Sequence, residues 1–295
     1  MTPTPPPVLT IRFVPKAILE GLQPALQRAV DLVTFGLEAS RSAKLPPTLM
    51  PDSWLRVQPA ANLAYDLETL RIEFPLWILG AALRDCIESI SVPLSTARDL
   101  CALGSFVKQG VTKGEDLNDF LQRQGAEVEK FNRLGLPDKV DFLRRQYGPQ
   151  IVPDEIEWIS TINAARNCLV HRRGVVAPHD TNYQDVLLVR WTRPMVRIHG
   201  AREVRLVVPV APVTPGDRAE VIWTEAEKVF KIGDSIQFSA QEFSEICGTL
   251  LQFGFKFRDR VVDFLKLCGV KLLPADLAGE KEQPRSTNSD GPGGI

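Results

Sequence analysis

Metal-binding and nucleotide-binding signatures are missing from this chain. It has three histidines and five cysteines in 295 residues, no C-x-x-C pair, and no histidines at zinc-ligand spacing, so neither a zinc site nor any other metal centre is expected. No P-loop, G-x-G-x-x-G, G-x-S-x-G or H-E-x-x-H pattern occurs, which removes the usual signatures of P-loop and dinucleotide binding, α/β-hydrolases and zinc proteases. No cofactor is expected. The longest apolar runs fall far short of the ~20 residues a membrane helix needs. The opening residues MTPTPPPVLT have no basic region and no apolar stretch of the secretory type. An excess of one charge is absent too, with 35 basic against 36 acidic residues.

The odd cysteine count and the wide spacing of Cys86, Cys101, Cys168, Cys247 and Cys268 predict buried free thiols in a reduced, cytoplasmic chain. Balanced total charge hides an uneven distribution. Between Arg166 and Arg205 there are eight Arg against Asp180, Asp185 and Glu203, a net +5 that leaves −6 for the remainder. Such a segment either binds a polyanion or is an ordinary solvated strand surface.

At 44% hydrophobic content the chain can bury a sizeable core. Three- and four-residue apolar spacing predicts an amphipathic helix over 16–43, with Ile18, Leu22, Leu26, Ala29, Val30, Val33 and Leu37 on one face. A second helical run covers 61–91, with Leu63, Leu67, Leu70, Phe74, Trp77, Ile78, Ala81, Leu83 and Ile87 as its apolar face. Pro75 is expected to kink or divide it. Shorter helices are predicted at 115–132 and about 138–147. Another begins near Pro153, buries Trp158, Ile162, Ala165 and Leu169, and ends at Gly174. Period-two, Val- and Ile-rich segments then predict three or four strands within about 186–232, Pro194 marking an edge or a bulge. Ser239-Ala240-Gln241-Glu242 matches a capping box and opens a final long helix ending at Gly269. The expected fold is mainly α, a helical bundle with a small antiparallel β insertion before the last helix. Its organisation is a disordered proline-rich start (1–15), one domain (16–274) and a disordered tail (275–295).

One stretch carries chemistry. In ARNCLVHRRG, residues 165–174, Asn167 and His171 lie one helical turn apart. With Ile162 at zero and about 100° per residue, they fall about 140° and about 180° round, opposite the core stripe, while Arg166 flanks it at about 40°. Histidine moves protons near neutral pH, and arginine offers a charged fork suited to phosphate oxygens. Asn167 can orient the imidazole or donate to a substrate oxygen. Together these groups can cleave a phosphodiester without metal, with Arg172 and Arg173 adding positive charge for RNA. The plainer reading is a helix that ends in cations and glycine, as many do.

The run Arg166-Asn167-Cys168-Leu169-Val170-His171 resembles the signature of the HEPN superfamily, an Arg, often a polar residue, then His after four to six positions. The preceding LPDKVDFLRRQYG and the following RRGVV resemble the flanks of that motif in HEPN-like proteins, and the likeness covers about 60–270. The resemblance implies a HEPN-like helical bundle and a metal-independent endoribonuclease. It implies a homodimer in which the two signature helices share a cleft. Arg166 and His171 are then catalytic and Asn167 assists. It also implies toxin–antitoxin or defence roles, with any antitoxin or regulatory protein encoded separately. Some HEPN proteins lack catalysis, so the alternative is an inactive module that binds RNA, a nucleotide or a protein. The strands at 186–232 depart from a minimal HEPN bundle.

Of the other histidines, His179 is expected in a solvated loop and His199 in a turn. Glu88 reads as the i+4 partner of Arg84. In FKFRDR, the aromatic–basic mixture suits single-stranded nucleic acid, but helical spacing assigns Phe253 and Phe257 to the core.

Overall fold

The computed structural model describes residues 15–44, 66–113, 117–199, 204–207 and 218–270. The start up to residue 14 and the tail 275–295, both expected to be disordered, lie outside the described residues, as does Leu63. The fold is mainly α, with a small antiparallel sheet before the last helix.

The first helical run divides in two. A 3-10 turn, Pro15–Leu19, precedes helix α1, Leu22–Ser42. Pro24 explains the late start. A helix beginning at Leu22 places that proline in its first turn, where the missing N–H costs nothing. Ile18, Leu22, Leu26, Ala29, Val33 and Leu37 are buried as the spacing predicts.

The second run departs further from expectation. Helix α2 spans Leu67–Lys113, 47 residues, and passes through both Pro75 and Pro93 without a break. Each proline removes one ladder bond and strains the preceding turn, at about 3 kcal/mol or more. Against that, α2 buries Leu79, Leu83, Cys86, Ile87, Ile90, Leu94, Ala97 and Cys101 along one continuous stripe. Each fully buried large apolar side chain contributes roughly 1.5–3 kcal/mol, so the stripe outweighs both interruptions. Trp77, expected on the apolar face, is 66% exposed.

Helices α3 (Leu117–Asn132), α4 (Leu136–Tyr147) and α5 (Ile156–Arg172) follow at their expected places. Arg98, buried in α2, fixes α3 by donating to Gln124 Oε1 at 2.6 Å and to Glu127 Oε2 at 3.2 Å.

The sheet has three described strands in the order β2-β1-β3: β1 Val186–His199, β2 Val204–Val207 and β3 Arg218–Lys231. The two segments AEVIWT and EKVFKIG form one strand, β3. Pro194 lies in the central strand, opposite Trp223, and the β1–β3 register runs from Val186↔Lys231 to His199↔Arg218 without a bulge. Described pairing with β2 covers only Val196 to His199. On that side Pro194 has no described strand to bond, so its missing N–H is tolerated.

Helix α6, Ala240–Leu267, opens with the expected capping box: Glu242 N–H donates to Ser239 Oγ at 3.1 Å, and Ser239 N–H to Glu242 Oε2 at 2.7 Å. It packs back on α1 and α2, and β1 lies across α5 and α6. Phe253 and Phe257 are fully buried, as the helical spacing predicts. One apolar cluster runs from Ile18 through α1, α2, α5 and the sheet to Leu265. All five cysteines are free and buried.

Candidate functional site

Helix α5 is held from two sides, and this fixes which face it leaves free. Ile159, Ile162, Ala165, Cys168 and Leu169 point into the core. Gly80 of α2 allows close approach, because a Cβ there would sit 3.4 Å from Leu169 Cβ. On the other side, β1 meets the N-terminal half of α5, where Arg190 N–H donates to Thr161 Oγ1 at 2.9 Å. Trp158, expected in the buried stripe, is only half-buried. The sheet therefore covers the start of the helix and leaves His171, in the last turn, exposed.

The helix ends where the glycine signal places it, with Arg173 as the cap and Gly174 as the next residue. Arg173 already adopts the left-handed conformation, at φ 53° and ψ 30°, and Gly174 follows at φ 77°. Both N–H groups donate to Cys168 O. The exit is then stitched to the linker before α6, Ile236 N–H donating to Gly174 O at 2.8 Å.

His171 is exposed as expected, Asn167 is half-buried, and Arg166 flanks the core stripe as expected. Arg166 Nη1 donates to Asn167 Oδ1 at 2.8 Å. Its Nη2 lies 3.5 Å from Glu88 Oε1, and Glu88 also faces Arg84 Nε at 3.7 Å. The Arg166 side chain is 19% exposed, and its Nε is buried without an acceptor. Asn167 was expected to orient the imidazole or meet a substrate. Its carbonyl instead holds Arg166, which leaves the amide N–H groups free to donate. His171 makes no side-chain hydrogen bond among the described residues. The result is an imidazole in the open, one turn from an Asn167 whose carbonyl, with Glu88, grips the Arg166 guanidinium.

Arg172 and Arg173, the expected RNA-binding pair, differ from each other. Arg172 forms a bidentate pair with Asp180, its Nε donating to Oδ2 at 2.7 Å and its Nη2 to Oδ1. Asp180 is 1% exposed at the side chain and also accepts from Ala177 N–H at 2.9 Å. Burial works against the Asp180 carboxylate, but the hydrogen bonds from Arg172 and Ala177 outweigh it and hold its pKa below the usual range. Arg172 therefore locks the 3-10 turn Pro178–Asp180 to the end of α5. Arg173 is exposed. Burial foremost, with Asp180 nearby, pushes the Cys168 thiol up to about 11, so it is inert.

The local +5 of the sequence is largely cancelled in space. Arg190 faces Glu227 at 3.5 Å, Arg193 faces Glu245 at 4.0 Å, and Arg197 bonds Glu220 at 2.7 Å. Arg202 and the side chain of Arg205 lie outside the described residues. His179 is exposed on its turn, and His199 ends β1 with Nε2 3.5 Å from Glu220. Glu88 and Asp180 are the site residues that sequence reasoning missed. Glu88 was visible as the partner of Arg84, but Arg166 is 78 positions away. Asp180 had a local signal, since it lies eight residues after Arg172 in a tight turn opened by Pro178.

Among the described residues no group of three or more His, Cys, Asp or Glu is placed to hold a metal ion, and no helix is long and apolar enough to cross a membrane. Comparison with protein-family models, with curated proteins and with solved structures gives no match.

Proposed function

We propose that this protein is a metal-independent endoribonuclease of HEPN type, acting as a homodimer with Arg166 and His171 as its catalytic residues. One observation carries the reading: His171 stands exposed and without a side-chain hydrogen bond among the described residues, one turn from Asn167, whose carbonyl together with Glu88 holds Arg166. Neutral His171 takes the proton of a ribose 2′-OH. The 2′-oxygen forms a bond to phosphorus, and the bond from phosphorus to the 5′-oxygen breaks. That leaving oxygen takes a proton from the histidinium of the second copy's α5, which faces the first across a shared cleft. Arg166 donates to the phosphoryl oxygens as negative charge builds on them. Asn167 keeps the guanidinium in register and offers its amide N–H to the same phosphate. Arg173, exposed at the mouth, meets the RNA backbone. A toxin or defence role, with a separate antitoxin or regulator, fits a nuclease whose site is open to solvent.

The chemistry makes the products diagnostic. Attack by the 2′-oxygen leaves a 2′,3′-cyclic phosphate on one fragment and a 5′-hydroxyl on the other, read by polynucleotide kinase labelling with and without phosphatase. Fragments with 5′-phosphate would overturn this mechanism.

A second reading has its own support. Five of the eight arginines in the basic segment face a carboxylate, which leaves little free charge for a phosphate backbone. A non-catalytic module that binds a nucleotide or a protein needs less. It predicts binding without turnover and with a shallow salt dependence.

A further inference from the structure

A cavity of about 530 Å³ lies between the C-terminal end of α1, the start of α2 and the linker into α6. It is separate from the face of α5 that carries His171. We propose that it binds an amphipathic monoanion, an unbranched aliphatic chain ending in a carboxylate or a phosphate monoester.

The lining has a polarity along its length. Because α1 and α2 run antiparallel, Arg41 and Arg71 come together at one end, with Ser40 beside them. Farther along the two helices come Leu37, Leu76 and Leu79, and Phe238 closes the wall from the α6 linker. One end of the cavity therefore carries two guanidiniums and the other is mainly apolar, with Gln237 and Ser239 beside Phe238 on the linker, a pattern that seats a charged head and an aliphatic tail. The volume falls within the ~300–1,000 Å³ typical of small-molecule sites.

Arg71 supplies the second observation. Its Nη1 donates to Glu68 and its Nη2 to Ala43 O, both at 2.6 Å, so its guanidinium is fixed at this end of the cavity. Arg41 is held only loosely, 4.0 Å from Glu38 with both side chains largely exposed, so its charge is available. Next to this end is a second space of about 220 Å³, which shares Ser40 and Arg71 and is otherwise lined by Gly36, Ala39, Ala43, Leu67, Leu70 and Phe74. Its walls are almost wholly apolar.

The test is direct binding to the full chain by isothermal titration calorimetry, so it does not depend on any nuclease activity. The probes are decanoate and decyl phosphate, with butyrate as a head without a tail. One or both decyl anions bind saturably with one site per chain, and butyrate gives no heat of binding. Arg41→Gln weakens the decyl anion about tenfold, the loss of one charge-assisted contact. Ile72→Glu, which sets a negative charge on the rim, weakens it at least as much. Both positions are exposed in this structure, and circular dichroism confirms that the variants fold. Absence of saturable binding by either decyl anion overturns the proposal. So does binding that Arg41→Gln leaves unchanged.

Discussion

Replacing Asp180 with alanine separates a structural arginine from an RNA-binding one. The Asp180 carboxylate accepts two bonds from Arg172 and one from Ala177 N–H, and it is almost completely shielded from water. Breaking a fully buried pair costs about 3–5 kcal/mol, because a charge is left unmatched. Here Arg172 is 27% exposed and can turn to solvent, so the expected cost is lower, about 2–3 kcal/mol. For a chain of this size that corresponds to a fall in Tm of roughly 4–12 °C. Urea unfolding followed by circular dichroism measures it as a lower midpoint at unchanged slope. Arg172→Met must cost more, about 3–5 kcal/mol, because the Asp180 carboxylate it strands is shielded from water. The double variant must cost less than the two singles together, since each single strands the other's partner. The pH dependence has a definite sign. The folded carboxyl titrates below its unfolded value of about 4. Its stabilisation is therefore complete above that value and is lost as pH falls through the lower folded one. Parent and Asp180→Ala thus converge in acid and diverge toward neutrality. If Asp180→Ala stays within about 0.5 kcal/mol of the parent at pH 7, the clamp does not hold the end of α5 and Arg172 is free for RNA after all.

Glu88→Ala removes one of the two grips on Arg166 at an exposed position, so stability changes by less than about 1 kcal/mol, while RNA cleavage falls about tenfold or more through loss of positioning; equal rates would leave Glu88 with no part in the site. Arg173→Gly relieves a left-handed residue at φ 53° and raises stability by up to about 1 kcal/mol in urea unfolding, with a loss of RNA affinity if its charge meets the backbone. Gly254→Ala puts a Cβ 2.5 Å from Leu22 Cδ2 and lowers stability by about 1–3 kcal/mol through overpacking between α6 and α1; a neutral result would show that this contact yields.

What the sequence made legible follows from how local each signal is. Ser239 and Glu242 are three residues apart, and the capping box appears where that spacing places it. The apolar stripes of α1, α5 and α6 need only the helical period, and most of their residues are buried as predicted, Trp158 and Val30 being only half-buried. The path of α2 was not legible, because local rules end a helix at Pro75 and only the tertiary stripe from Leu79 to Cys101 carries it through. Trp77 fits the period yet stands in solvent, since periodicity says nothing about where a neighbouring helix stops. The site divides in the same way. The outward direction of Asn167 and His171 follows from helix geometry. The partners of Arg166, Arg190, Arg193 and Arg197 come from other elements, and a linear charge count cannot register them.

The proposal that exposed His171 works with Arg166 to cut RNA without a metal stands or falls on incubation of the purified full chain with 5′-labelled mixed RNA in EDTA, beside His171→Ala of equal circular dichroism and melting temperature. Fragments are expected from the parent and intact RNA from the variant, because removing an exposed, unbonded side chain takes away the proton carrier and leaves the fold alone. Cleavage by both proteins at the same rate, or by neither, contradicts it.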